Sequence, residues 1–129
     1  MEDCTGPECL DRIHVALDAW WSTTGDVGTV DRMLFELAVI EVAGNIVAHR
    51  TGSAAPACTL RVTRAGSSLE AEFLDNGDAV EIDLSALTLP GEDAEGGRGL
   101  ALVRSAVDEL SYDRVGGENR WLISRRLSP

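Results

Sequence analysis

The chain has 129 residues, 44% of them hydrophobic, enough for one compact domain with a single core and too few for two ordinary ones. Eleven basic residues against twenty-two acidic ones give a formal charge of −11, which argues against a sequence-independent grip on nucleic acid phosphates. Such acidity suits a basic protein partner, a metal-complexed ligand or simply solubility.

No apolar run approaches the roughly 18 residues of a membrane span, and the start MEDCTGPECLD lacks the basic and apolar parts of a signal peptide, so the chain reads as cytoplasmic. Cys4, Cys9 and Cys58 are odd in number and form no CxxC pair, which points to reduced thiols instead of disulfides or a zinc cluster.

Leu10, Ile13, Leu17, Trp20 and Trp21 recur at helical intervals and predict a first helix from about Pro7 to Ser22, ended by STTGDVG. A longer second helix is expected from about Val27 to Arg50, where TGSAAP stops it. Two strands, CTLRVTR and SLEAEFLD, are joined at Ala65-Gly66-Ser67 as a hairpin. Residues 76–97, rich in glycine and acids, form a long irregular segment of the kind that is functional more often than idle. GLALVRSAVDEL reads as a third helix, and ELSYDRV with NRWLISRRL as a second hairpin across Gly116-Gly117. Helices on one face of an antiparallel sheet, an α+β two-layer sandwich, is the natural packing of this order.

Three stretches carry chemistry. Between Leu37 and His49 only Glu41, Asn45 and His49 are polar, and four-residue spacing puts them on one helix stripe. A carboxylate and a carboxamide one turn apart can share a ligand: Asn offers a neutral oxygen to a hard cation such as Mg²⁺, and Glu can take a proton or orient a hydroxyl. The plainer alternative is a buried polar pair bonding a neighbouring element. His49, near the helix end, fits a dipole partner or a packed side chain better than a ligand. Asp75-Asn76-Gly77 stands where a strand runs out; its Asp could accept a hydrogen bond from a base amino group, or the three could form an ordinary turn. GGRGLAL, from Gly96 to Leu102, leads into a helix whose first amides could cradle phosphate, although no P-loop pattern is present.

In order and spacing, an ExxxN helix, a strand ending in DxG and a GxGL helix start resemble the N, G1 and G2 boxes of the GHKL ATPases, which share the Bergerat-type ATP-binding fold. The short chain, the form DNGDAV and the tail NRWLISRRL look most like the anti-sigma-factor serine kinases of the RsbW and SpoIIAB type. The resemblance covers about residues 10–127. It implies ATP and Mg²⁺ as cofactors, Glu41 as catalytic residue and Asn45 as magnesium ligand. Asp75 would bond the adenine amino group, with Gly77 beside the base. Gly97, Arg98, Gly99 and Leu100 would surround the phosphates, and residues of about 78–96 would form the ATP lid. It also implies transfer of phosphate to a serine of a STAS-domain anti-anti-sigma factor, and an alternative sigma factor as second partner. A homodimer stays open, because few residues are available for the family's opening strand.

Two departures stand beside the match. Ala79 takes the place of a second glycine, which points away from topoisomerase-like members. Glu95 stands where some members carry an arginine that reaches the terminal phosphate. The second departure keeps a rival in view: a nucleotide-responsive binding module that regulates a partner without transferring phosphate. A detached histidine-kinase ATPase domain would need a phosphoacceptor histidine, and His14 lies on the first helix without the usual surroundings.

Overall fold

A computed structural model describes residues 8–48, 58–76 and 95–127, with the side chains of residues 8, 9, 47, 48 and 95–99 left aside. In chain order the elements are α1 (Glu8–Trp21), α2 (Thr29–Ala48), β1 (Cys58–Ala65), β2 (Ser68–Asp75), α3 (Glu95–Ala106), β3 (Glu109–Val115) and β4 (Glu118–Arg126). This is the expected α+β architecture, with a four-stranded, wholly antiparallel sheet in the order β1-β2-β4-β3.

The boundaries follow from local chemistry. The last carbonyls of α1 are taken by the segment after it: Thr23 donates to Trp20 through both its amide and its hydroxyl, and the Thr24 hydroxyl donates to Trp21. Gly28 caps α2, since its carbonyl accepts the first helical bond, from the Arg32 amide at 3.0 Å. The β3–β4 turn places Gly116 at φ 60° and Gly117 at φ 82°, the pair of positive values that a two-residue hairpin of the favoured hand requires.

The third helix departs from the expected bounds. It begins at Glu95, so GGRGL forms its first turns instead of leading up to them, and it stops at Ala106 instead of running through VDEL. The stop has a cause: the Asp108 amide donates to Ser124 O at 2.8 Å and the Asp108 carboxylate accepts from the Arg126 amide. Both bonds pull the chain onto β4 and start the final hairpin.

One sheet face is apolar. Leu60, Leu69, Ala71, Phe73, Trp121 and Ile123 are buried beneath Ile13 and Leu17 of α1, Phe35, Val39 and Val42 of α2, and Leu100 and Val103 of α3. Each such side chain contributes about 1.5–3 kcal/mol on full burial. The opposite face is polar: Glu72 bonds Arg120 at 2.8 Å and lies 3.9 Å from Arg61. Among the described residues the three helices therefore share one face, and none of them is long and apolar enough to cross a membrane.

Candidate functional site

Glu41 and Asn45 lie one turn apart on α2, half-buried, beside the core-facing row. The Asn45 carboxamide nitrogen donates to the Glu41 backbone carbonyl at 3.1 Å. That bond fixes which end of the amide faces the helix and turns the carbonyl oxygen, the atom a hard cation prefers, away from it. Next to it, a Cβ added at Gly44 would meet no described atom within 4 Å, so open space adjoins the pair on α2.

Asp75 occupies a core position. On β2 the inward row runs Leu69, Ala71, Phe73 and then Asp75, which is 4% exposed. Asn119 does the same on β4, ending the row of Ile123 and Trp121 at 1% exposure. The two are direct register partners, and the Asn119 amide nitrogen donates to Asp75 Oδ1 at 2.9 Å. Asn119 Oδ1 in turn accepts from the Tyr112 hydroxyl and from Arg114 Nη1 at 2.9 Å. A row of polar groups thus crosses three strands at one end of the sheet. Sequence reasoning missed Asn119, although the alternation of NRWLI already puts it in phase with Trp121 and Ile123.

A buried ion pair also missed by sequence reasoning joins three elements. Asp31, in the first turn of α2, accepts two bonds on Oδ1 from Arg125, at 3.0 Å from Nε and 2.8 Å from Nη2, while Arg125 Nη1 donates to the Ala106 carbonyl that ends α3. The start of α2 and the end of α3 are therefore pinned at the Arg125 end of β4. Arg125 pairs with Leu69 at that end, and Asn119 pairs with Asp75 at the other. The fourteen residues from Asp31 to Asn45 advance about 21 Å along α2, and the nine from Ala106 back to Gly97 about 14 Å along α3. Six residues of β2 from Leu69 to Asp75 cover about 20 Å. The start of α2 and the end of α3 thus lie at the Leu69–Arg125 end of the β2–β4 pair, and Asp75 lies at its other end.

Gly97 lies in the first turn of α3, where backbone amides lack intrahelical acceptors and the helix dipole favours an anion, whereas Gly99, four residues after Glu95, is placed for the helix's own i to i−4 bond, and Arg98 stands between them. The Leu100 side chain is fully buried in the core, so only its backbone faces any ligand. Gly77, residues 78–94 and His49 lie outside the described residues.

Magnesium is tested by the donor set. Among the described residues no three of His, Cys, Asp and Glu cluster in a way that could hold a metal ion. One neutral oxygen from Asn45 fits an ion that keeps its waters and takes its other ligands from phosphates.

A separate groove of about 400 Å³ lies between α1 and α2, lined by His14, Val27, Met33, Glu36, Leu37 and Ile40 among others. Glu36 and Asn45 are nine residues apart, about half a turn out of phase at 100° per residue, while Leu37 at the edge of the groove stands one turn before Glu41. His14 sits there, 3.5 Å from Glu36.

The family model described as "Histidine kinase-like ATPase domain" matches residues 6–124. A curated relative, the serine/threonine-protein kinase BtrW of Bordetella bronchiseptica, is 35% identical over 126 residues, covering 90% of this chain and 81% of its own. Among solved structures, a blue-light activated histidine kinase of Erythrobacter litoralis superposes with a TM-score of 0.60 at 26% identity over 80% of this chain, and its isolated kinase domain with 0.62 at 24% over 92%. The histidine kinase AdeS of Acinetobacter baumannii gives 0.55 at 15% identity over 76% of this chain. These matches span 32%, 59% and 48% of the respective solved chains, and at 24% and 15% identity the likeness is one of fold.

Proposed function

The chain belongs to the histidine kinase-like ATPase domain family, an ATP-binding family, and from that premise we propose that it is a protein serine kinase acting on a protein partner. The observation that carries the reading is the Glu41–Asn45 pair, half-buried one turn apart on α2, with the Asn45 amide bonded to the Glu41 carbonyl. The 35% identity to a relative named as a serine/threonine-protein kinase supports transfer to a hydroxyl.

In this reading Asp75 accepts from the adenine amino group and the first-turn amides of α3 meet the phosphates. Asn45 would hold magnesium through its carbonyl oxygen. When bound, that ion neutralises charge on the phosphates. Glu41 orients the serine hydroxyl and takes its proton as the oxygen attacks the terminal phosphorus; the bond from that phosphorus to the bridging oxygen breaks and leaves ADP. Phosphoryl transfer depends mainly on positioning and charge stabilisation, so one base and a set of oriented donors suffice.

The partners follow the resemblance noted in the sequence: a STAS-domain anti-anti-sigma factor as phosphate acceptor and an alternative sigma factor held by the nucleotide-bound form, with a homodimer left open. Incubation with ATP, magnesium and a STAS-domain acceptor, followed by mass spectrometry, tests the transfer. One added phosphoryl group on an acceptor serine is expected. An unmodified acceptor, from protein that nevertheless binds ATP, would replace the kinase with a nucleotide-responsive binding module.

A further inference from the structure

The outward side of α2 is apolar where a solvent-facing helix surface is ordinarily polar. At 100° per residue, Val30, Met33, Leu37, Ile40, Glu41 and Gly44 fall within about 100° of arc, opposite Phe35, Val39 and Val42 of the core. Val30 and Met33 are 62% and Leu37 38% exposed, and among the described residues of α2 Glu41 is the one charged group on this arc. Met33, Leu37 and Ile40 also line the groove of about 400 Å³ against α1, so the stripe opens into a recess that can take an apolar side chain. Along the helix axis Leu37 stands about 6 Å and Met33 about 12 Å before Glu41. Gly44, three residues beyond Glu41, leaves open space.

A protein hydroxyl that reaches Glu41 brings a macromolecule over the nearest outward neighbours of that carboxylate, Leu37 on one side and Gly44 on the other. Covering Leu37 and Met33 removes apolar surface from water and favours association. A strongly polar partner surface would lose its own hydration there without gaining hydrogen bonds. We propose that Met33, Leu37 and the adjoining groove are the docking surface for the phosphate acceptor, a protein carrying an apolar patch about 6–12 Å from its reacting serine. The inference rests on the serine kinase reading of the preceding subsection, because continuity of the stripe with Glu41 is what assigns its occupant. A second copy of the chain seated on the stripe would instead obstruct the approach to Glu41.

The test is steady-state transfer by the full chain to a STAS-domain acceptor, with acceptor concentration varied at saturating ATP and magnesium. Met33→Lys and Leu37→Lys should each raise the acceptor KM by about tenfold, the loss of one well-packed interface side chain, with kcat and ADP affinity near wild type. Met33 is mostly exposed, so its variant keeps the test available should Leu37→Lys fail to fold. Val15→Lys makes the same change off the stripe, on α1 at 69% exposure, and should leave the KM alone. An acceptor KM unmoved by Met33→Lys, or moved equally by Val15→Lys, overturns the inference while the kinase reading stands. Conversion of a dimer to a monomer by Met33→Lys in sedimentation, with the KM unmoved, would make the stripe a contact between two copies and overturns it as well. Absence of transfer by wild type that binds ATP removes the kinase reading and the inference together.

Discussion

Arg125 grips Asp31 twice on a single carboxylate oxygen and spends its remaining reach on the Ala106 carbonyl, so one side chain joins β4, the start of α2 and the end of α3. Asp31 is 5% and Arg125 16% exposed, and breaking a buried pair by removing one partner costs about 3–5 kcal/mol because the other charge is left behind. Arg125→Ala is expected near the lower end, about 3 kcal/mol, since Arg125 keeps some contact with water. Urea unfolding would read this as a lower midpoint at an unchanged slope. A loss under about 1 kcal/mol would mean that the pin does not hold the helices.

Asp108 offers a pH dependence. The Arg126 backbone amide bonded to its carboxylate lowers its pKa below the ordinary 3.8, with the nearby Arg126 and Arg125 charges acting in the same direction and desolvation opposing them. A folded-state pKa below the unfolded one means that the native state binds fewer protons, so the contribution is complete above about pH 3.8 and fades as pH falls through the depressed value. The group is exposed, so the effect is small. Wild type should be slightly more stable than Asp108→Asn at pH 6, and the gap should close as pH is lowered well below 3.8 in paired thermal melts. A gap that widened in acid would contradict the assignment.

Glu41→Ala separates binding from chemistry. Nucleotide affinity should change little, while transfer to a protein serine should fall by about 10²–10⁴, the usual worth of a positioned general base. Radiolabelled ATP with a cognate acceptor gives the rate. Equal transfer by wild type and variant would remove Glu41 from the mechanism.

Asn45→Ala should weaken ATP binding in the presence of magnesium and leave the weaker, magnesium-free binding nearly unchanged, because the lost atom is the proposed metal ligand. Calorimetric titrations with magnesium and with EDTA give both constants. Equal losses in the two conditions would assign Asn45 to the nucleotide or to the helix, where its amide already bonds the Glu41 carbonyl.

Much of this was legible in the sequence because it is local. The stripe of Glu41 and Asn45 needs only helical spacing, and the two hairpins need only alternation and their glycine turns. The bounds of α3 were not legible: VDEL has helical composition, but tertiary bonds from Asp108 to Ser124 and Arg126 draw it into the sheet. Glycines in GGRGL argue against a helix by propensity, yet α3 begins before them. Asp31 with Arg125 and Asp75 with Asn119 are 94 and 44 residues apart, so no spacing rule joins them, although the phase of each strand already marked Asp75 and Asn119 as polar groups in an apolar row.

Thermal melting with ATP, ADP and magnesium tests the nucleotide pocket most directly, because a ligand that binds only the native state must raise its apparent stability, by about 2.7 kcal/mol at a hundred times its dissociation constant. Both nucleotides should raise the melting temperature at millimolar concentration, ATP more with magnesium than without, and Asn45→Ala should lose the magnesium increment. An unchanged melt with either nucleotide, magnesium present, would contradict the account.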